Sequence, residues 1–379
     1  MFPMIEKLDD VLPYIAENKQ IRVKADELTG HIVVCYMVQD EDTFAGTDLQ
    51  YAVECRGITF HPDGRIAART LHKFFNIGEH DSVQPQNLSW GLVDRIMEKR
   101  DGSMITPVLI AGTAEFRFKT KKTFSSKEAL AAGEYLTTVP NGASWIADVL
   151  NVGLTPTFEF TSPKFPIVIK YEKDELTLLH IRENDTGRYL TEGEIKTLGS
   201  PFPLVANLKE QFHGLGLPAN LVSWDLLRDA QENTTGLEGW VIQFRNGDMV
   251  KLKTKWYCDL HHAVTFTRWR DIARSVVADQ SDDLKGAFAM TGRSIEPILL
   301  VERTISEVID DAQDAVDAHV MEGERLGYTA KDMALAKKDH PLFGLIMKLF
   351  RKQEVDWMAW YAKNHLENDF GLEVVGDDA

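Results

Sequence analysis

The hydrophobic pattern of this 379-residue chain changes period near residue 260, and a fold of one class cannot accommodate both parts. Upstream, apolar and polar residues alternate at every second position in short runs. HIVVCYMV, EFRFKTK, TFEFT, FPIVIKY, LTLLHI, WVIQF and MVKLKTKWY all read as strands. Helical stretches lie between some of them, such as SSKEALAAGEYL, with Ser125 and Ser126 as candidate N-caps. Downstream the repeat lengthens. In TISEVIDDAQDAVDAHVME, Ile305, Val308, Ile309, Ala312, Val316 and Val320 recur at helical spacing, and HPLFGLIMKLF and VDWMAWYAKNHL continue the helical reading. Of the 14 prolines, only Pro297 and Pro341 fall in this last third, where helices have least use for them. The expectation is an α+β domain over residues 1–260 and an all-helical domain over residues 261–379, with EVVGDDA as a disordered tail.

Composition removes several classes of function. Cys35, Cys55 and Cys258 are too few and too scattered for a disulfide framework, and none forms a C-x-x-C pair, which argues against a structural zinc site and for a reducing compartment. MFPMIEKLDD carries charge too early for a secretory signal, and no apolar run approaches a membrane span, so a cytoplasmic protein with no membrane partner is expected. There is no G-x-x-x-x-G-K-[ST] loop and no H-E-x-x-H. His261-His262 has no third ligand at useful spacing and is expected on the surface. The net charge of −16 repels polyphosphates as a whole, so any nucleotide or nucleic-acid contact must rest on a local concentration of cations.

Strand alternation supplies that concentration. Phe116 and Phe118 point one way in EFRFKTK while Arg117, Lys119 and Lys121 point the other; Val250 and Leu252 oppose Lys251, Lys253 and Lys255 in MVKLKTKWY. Either strand alone reads equally as a solvated edge. Glu159 stands among threonines on one face of TPTFEFTSP, and Glu238 precedes Gly239 at the entry to a strand. In EKRDGSM, Lys99 is followed by Asp101-Gly102, an ordinary turn pair. Together these pieces make one kind of site: a lysine that becomes nucleophilic when desolvated or crowded by cations, further cations for a polyphosphate, and carboxylates for Mg²⁺.

The order Lys-x-Asp-Gly, Phe-Glu-Phe, Glu-Gly, Lys-x-Lys resembles the covalent nucleotidyltransferase superfamily of DNA ligases, RNA ligases and capping enzymes. Met104 stands where DNA ligases and capping enzymes usually carry arginine. KRDGS followed by an apolar residue instead resembles the phage RNA ligase 1 family, the tRNA-repair ligases of T-even-like bacteriophages. VECRGITF, LHKFFNIGE, HIRENDTG, KLKTKWY, QSDDLKGAF and HPLFGLIMKLF match family segments in order, so the resemblance covers nearly the whole chain. It implies an N-terminal nucleotidyltransferase domain of ATP-grasp-like antiparallel sheets and helices. It also implies ATP with Mg²⁺ or Mn²⁺ as cofactors, and RNA as partner, in particular tRNA with a broken anticodon loop, in functional coupling to a polynucleotide kinase/phosphatase.

Site roles follow from the same resemblance. Lys99 would carry AMP; Arg56, Lys73 and Lys121 would hold the β and γ phosphates; Lys251 and Lys253 would sit against the α-phosphate. Glu159 would contact the ribose or the metal shell, and Glu238 the metal waters. Asp101 and Gly102 of the lysine motif would line the nucleotide, with Tyr36 and one of the adjacent Phe74 and Phe75, matched to Phe75, close to it. Asp282 would be a metal-associated aspartate, although Asp282-Asp283 equally reads as a cap for a helix beginning at Leu284. The rival readings are a DNA ligase or guanylyltransferase, or a nucleotide- or RNA-binding protein with an inactive site.

Overall fold

The computed structural model describes residues 2–37, 42–44, 49–79, 81–213, 221–258, 269–290 and 294–370. The chain divides into two compact units, Met1–His262 and Ala263–Ala379.

The described residues of the first unit form three four-stranded sheets, in the orders β1-β2-β3-β4, β10-β9-β7-β8 and β5-β12-β11-β6. The strands are β1 (Ile21–Ala25), β2 (Ile32–Tyr36), β3 (Arg56–Phe60), β4 (Ile66–Ala68), β5 (Phe75–Asn76) and β6 (Val93–Lys99). They continue as β7 (Ser103–Leu109), β8 (Phe116–Lys119), β9 (Leu154–Thr161), β10 (Glu175–Glu183), β11 (Gly239–Phe244) and β12 (Met249–Lys253). The β5–β12 pair is parallel and every other pair antiparallel.

Alternation decides which face each strand buries. Phe158 and Phe160 of β9 join Ile105, Phe118, Leu176 and Leu178 in one core, roofed by the helices Lys127–Leu136 and Gly142–Asn151 through Ala129, Ala132, Ile146 and Val149. Each large apolar side chain fully buried there contributes about 1.5–3 kcal/mol. The Ser126 hydroxyl caps the first of those helices by accepting the Ala129 N–H at 3.1 Å. A second core, of Val93, Ile96, Trp240, Ile242, Val250 and Leu252, backs the sheet that carries Lys99.

Two strand expectations fail locally. FPIVIKY is an irregular loop, because the N–H groups of Val168 and Ile169 are taken by the Asp101 carboxylate instead of a neighbouring strand. MVKLKTKWY is a strand only as far as Lys253; a helical turn starts at Lys255, which is exposed and does not share the strand face of Lys251 and Lys253.

A buried charge cluster ties the sheets together. Glu54, just before β3, accepts hydrogen bonds from Arg69 Nε at 3.0 Å and from Arg182 Nη1 and Nη2 at 2.9 Å each, all three side chains being inaccessible to solvent. Burial alone would raise the Glu54 carboxyl; the two guanidiniums outweigh it and hold it down at about 2. Arg182 also donates to the Thr70 and Gly187 carbonyls, and Arg69 to those of Pro3, Asn184 and Asp185. VECRGITF and HIRENDTG therefore meet in space through Glu54 and Arg182.

In the second unit, helices Trp269–Val277, Ser281–Met290, Glu296–Arg325, Ala330–Lys337, Phe343–Phe350, Trp357–Asn364 and Leu366–Asp369 surround one apolar core, and no strand occurs among its described residues. The long helix Glu296–Arg325 buries Ile305, Ile309, Ala312, Val316 and Val320, the residues picked out by the helical period, while Val308 is half-buried. Lys285 and Glu302 form a buried ion pair at 2.7 Å within this unit. No helix among the described residues is long and apolar enough to cross a membrane.

Candidate active site

Three strand ends meet at Lys99. Lys99 closes β6, Gly239 opens β11 and Lys253 closes β12, and Gly239 is the register partner of both lysines. Glu238, one residue earlier, turns its carboxylate between the two ammonium groups: Oε1 lies 2.8 Å from Lys99 Nζ and 3.2 Å from Lys253 Nζ. Glu238 and Lys253 are buried, whereas the Lys99 side chain keeps 21% of its exposure, enough for a reactant to reach it. The approach of the strands requires glycine at position 239, since a Cβ there would sit 2.0 Å from the Leu252 carbonyl oxygen. The surroundings of Lys99 are thus not cationic only, since a carboxylate oxygen lies at ion-pair distance from its ammonium.

Glu159 supplies the second wall. It projects from β9 opposite Met104 and Thr177, and its Oε1 accepts the Gly102 N–H at 3.2 Å. Gly102 is again a close approach, as a Cβ there would fall 2.4 Å from the Phe160 carbonyl oxygen. Burial pushes the Glu159 carboxyl up to about 8; Lys99 and Arg56 oppose the shift, and Glu238 and Asp101 reinforce it. At neutral pH it is predominantly protonated.

Asp101 is buried and clasped. Its Oδ2 accepts the N–H groups of Val168 and Ile169 at 2.9 and 2.7 Å, its Oδ1 accepts the Tyr257 hydroxyl at 2.9 Å, and its own N–H donates to Tyr171 Oη at 3.1 Å. The Arg100 guanidinium lies 5.0 Å from the Tyr171 ring centroid and donates to Glu175 at 2.9 Å, which adds to the clasp. Asp101 therefore pins the 168–171 loop beside the lysine motif. Sequence reasoning missed Tyr171 and Tyr257: the first lies 70 residues from Asp101 in a run that resembles a strand, and the second is the last residue of KLKTKWY.

Arg56 lies near enough to Glu159 to act on its charge, while Lys73 and Lys121 lie against aromatic rings. Arg56 opens β3, donates to the His72 carbonyl at 3.2 Å and lies 5.0 Å from the Phe74 ring centroid. Lys121 Nζ is 5.0 Å from the Tyr36 ring, and Lys73 Nζ is 5.1 Å from Phe75 and 5.8 Å from Phe44. Tyr36, Phe44 and Phe75 pack edge to face with centroids 5.2 and 5.5 Å apart, so a row of three rings carries two ammonium groups, each contact contributing about 0.5–2 kcal/mol. Phe74 is buried against Leu71, Tyr189 and Met249, which leaves Phe75 as the half-buried ring of the pair. Phe44 is a further residue at this row that belongs to none of the motifs above.

Lys251 is buried on the same face of β12 as Lys253. Lys119 departs from its expected place beside Lys121: it is fully buried, with its ammonium donating to backbone carbonyls. Asp282 belongs to the second unit, where it and Asp283 lie inside the first turn of Ser281–Met290 and do not precede a helix starting at Leu284. His261-His262 lies outside the described residues.

A family model described as RNA ligase matches residues 54–257, more than half of the chain. The chain belongs to the RNA ligase family. Among the chain's relatives, the "Putative RNA ligase" of Thermovibrio ammonificans is 33% identical over 271 residues, covering 68% of this chain but only 65% of that protein's own length. "RNA ligase 1" of Bacteriophage TS2126 is 24% identical over 345 residues, covering 82% of this chain and 76% of that one. A solved archaeal ATP-dependent RNA ligase is 13% identical and covers 78% of each chain at a TM-score of 0.42, a likeness too loose to bear on the site. The matched span runs from Glu54 to Tyr257 and so contains Arg56, Lys73, Lys99, Glu159, Glu238 and Lys253; Tyr36 and Asp282 fall outside it.

Proposed function

We propose that this chain is an ATP-dependent RNA ligase that works through a covalent adenylate on Lys99. The amine attacks the α-phosphorus of ATP, forming an N–P bond as the bond to pyrophosphate breaks. Arg56, Lys73 and Lys121 hold the β and γ phosphates and so orient the leaving group, while Lys251 and Lys253 oppose the charge that builds on the α-phosphate. AMP then passes to a 5′-phosphorylated RNA end, and an RNA 3′-hydroxyl attacks that activated phosphate, sealing the strand and releasing AMP.

A divalent cation, Mg²⁺ or Mn²⁺, fits the carboxylates. Burial raises the Glu159 carboxyl and the nearby Glu238 adds to the shift, so a cation placed between the two carboxylates would favour their charged forms. Among the described residues no group of three or more His, Cys, Asp or Glu side chains is arranged to ligate a metal ion directly. Glu159 and Glu238 would therefore hold the ion through its waters and not as a direct cage. Such an ion would neutralise phosphate charge as it develops, and Asp282, a residue of the second unit, would be a metal-associated aspartate.

The finer reading is repair of tRNA broken in its anticodon loop, in the cytoplasm and alongside a kinase/phosphatase that heals the ends, with the helical unit selecting the RNA. The family match supports the ligase chemistry. The observation that carries it to Lys99 is the partly open amine sharing one carboxylate oxygen with the buried Lys253 at aligned strand ends. Mass spectrometry after incubation with ATP and Mg²⁺ should find one added AMP on Lys99, absent with GTP. Lys99→Ala should carry none; an intact adduct in that variant would remove the assignment.

A further inference from the structure

The loop that Asp101 clasps carries charge of its own. From Thr161, the last residue of β9, to Lys170 there is no acidic side chain, in a chain with 58 Asp and Glu against 42 Lys and Arg. Lys164 and Lys170 lie on this stretch, both exposed, and neither ammonium has a hydrogen bond or ion pair among the described residues. Neighbouring surface cations are neutralised: Lys173 lies 3.5 Å from Glu175, and Arg100 lies 2.9 Å from the same carboxylate.

The backbone that bears the two lysines is held at several points. Ser162, three residues past Glu159, accepts the Lys164 N–H on its hydroxyl at 3.0 Å and the Phe165 N–H on its carbonyl at 3.2 Å. The Phe165 side chain packs on the core around Phe158 and Phe160. Past it, the Asp101 carboxylate holds the Val168 and Ile169 N–H groups, and Tyr171 Oη accepts the Asp101 N–H. Pro163 and Pro166 fix two further φ angles. Each lysine is thus flanked by fixed backbone, and Lys170 adjoins a residue bonded to Asp101, itself two positions from Lys99. A backbone set in advance lowers the ordering cost of binding an extended anion.

We propose that Lys164 and Lys170 form a track for the RNA substrate, in which the two ammonium groups contact backbone phosphates of a strand whose end lies at Lys99. This rests on the ligase reading above and deepens it by naming where the strand is held. A net charge of −16 opposes polyanion binding over most of the surface, so unpaired cations close to the reacting amine supply attraction where it is needed. Lysine suits this task, because a flexible point charge on a phosphate accepts any base sequence. The β and γ phosphates of ATP are assigned other cations, Arg56, Lys73 and Lys121, so these two lysines act on RNA and not on the nucleotide.

The test separates the two phosphate sources. Lys164→Ala combined with Lys170→Ala removes only exposed side-chain atoms and leaves the fold intact. Binding of a 5′-phosphorylated single-stranded RNA, followed by fluorescence anisotropy across a salt series, should weaken about 10-fold at low salt, and the slope of log affinity against log salt should shrink by about 1.4, roughly 0.7 per phosphate contact. The ATP concentration for half-maximal self-adenylylation should stay within about threefold of wild type. Lys164→Arg with Lys170→Arg should keep both the affinity and the slope. An unchanged slope and affinity in the alanine variant would overturn the track. So would an equal loss in the ATP response, since the lysines would then serve the triphosphate. AMP uptake by wild type is read separately: its absence would remove the ligase reading, while the salt response of RNA binding still decides the track.

Discussion

Lys253→Met tests whether the fully buried lysine serves chemistry or packing. Methionine keeps most of the volume and removes the charge. The substitution leaves Glu238 with Lys99 as its remaining lysine partner at 2.8 Å, so the carboxylate is weakened in its pairing but not stranded. Removing one partner of a buried pair typically costs 3–5 kcal/mol when the other is left alone, which sets about 3 kcal/mol as the expected loss here. For a folding unit of this size that corresponds to a melting temperature lower by about 6–12 °C, leaving a folded protein at 25 °C. The chemical effect should be separate. Loss of one preorganised charge aimed at the developing oxyanion costs roughly 100- to 1000-fold in rate. Lysyl-AMP formation followed by mass spectrometry over time, next to a thermal melt, reads both quantities. A folded Lys253→Met protein that forms the adduct within about threefold of the wild-type rate would refute the reasoning, as would complete unfolding at 25 °C.

Glu159 should couple nucleotide and metal binding to proton release. Its folded carboxyl titrates near 8, above the usual 4.5, so it holds a proton at pH 7 that a bound cation would displace, and affinity should rise as pH climbs toward 8. The same shift means its contribution to stability is present below about 4.5 and is lost as pH rises through about 8. Calorimetry in buffers of different ionisation enthalpy should show proton release that Glu159→Gln abolishes; equal release in both proteins would refute the coupling. Glu54→Gln should destabilise the first unit by about 3–5 kcal/mol, because it strands two buried guanidiniums, and a melting temperature within 2–4 °C of wild type, roughly the effect of 1 kcal/mol, would contradict that. Ending the chain after residue 262 should spare self-adenylylation and alter the choice of RNA. Unchanged sealing of every RNA by the shortened enzyme would dismiss selection by the helical unit.

Much of this architecture was legible because periodicity is local. The helical spacing of Ile305, Ile309, Val316 and Val320 named the buried stripe of Glu296–Arg325, and alternation put Phe158 and Phe160 into one core. What stayed hidden depended on contacts between distant segments. Alternation placed Lys119 and Lys121 on one face, yet β8 ends at Lys119 and the carbonyls that hold its ammonium include one from Gly57, 62 residues away. FPIVIKY has the composition of a strand, but a carboxylate elsewhere in the chain takes its N–H groups. The alignment of Lys99 with Lys253 depends on register across β11, which no spacing of motifs reveals. Asp101 read as half of a turn because its partners Val168, Ile169 and Tyr257 come from two other parts of the chain.

The enclosed cluster around Glu54 bears on the order in which the molecule can assemble. Arg69 reaches the Pro3 carbonyl, Ile5 donates to Asp185, and the Phe2 ring lies 4.6 Å from the Arg182 guanidinium. Phe2, Pro3 and Ile5 thus have no finished docking place until the stretch from Arg182 to Asp185 has been synthesised. On a ribosome adding about 5–20 residues per second, Phe2, Pro3 and Ile5 wait roughly ten seconds or more for these partners, and their contacts are not closed until then.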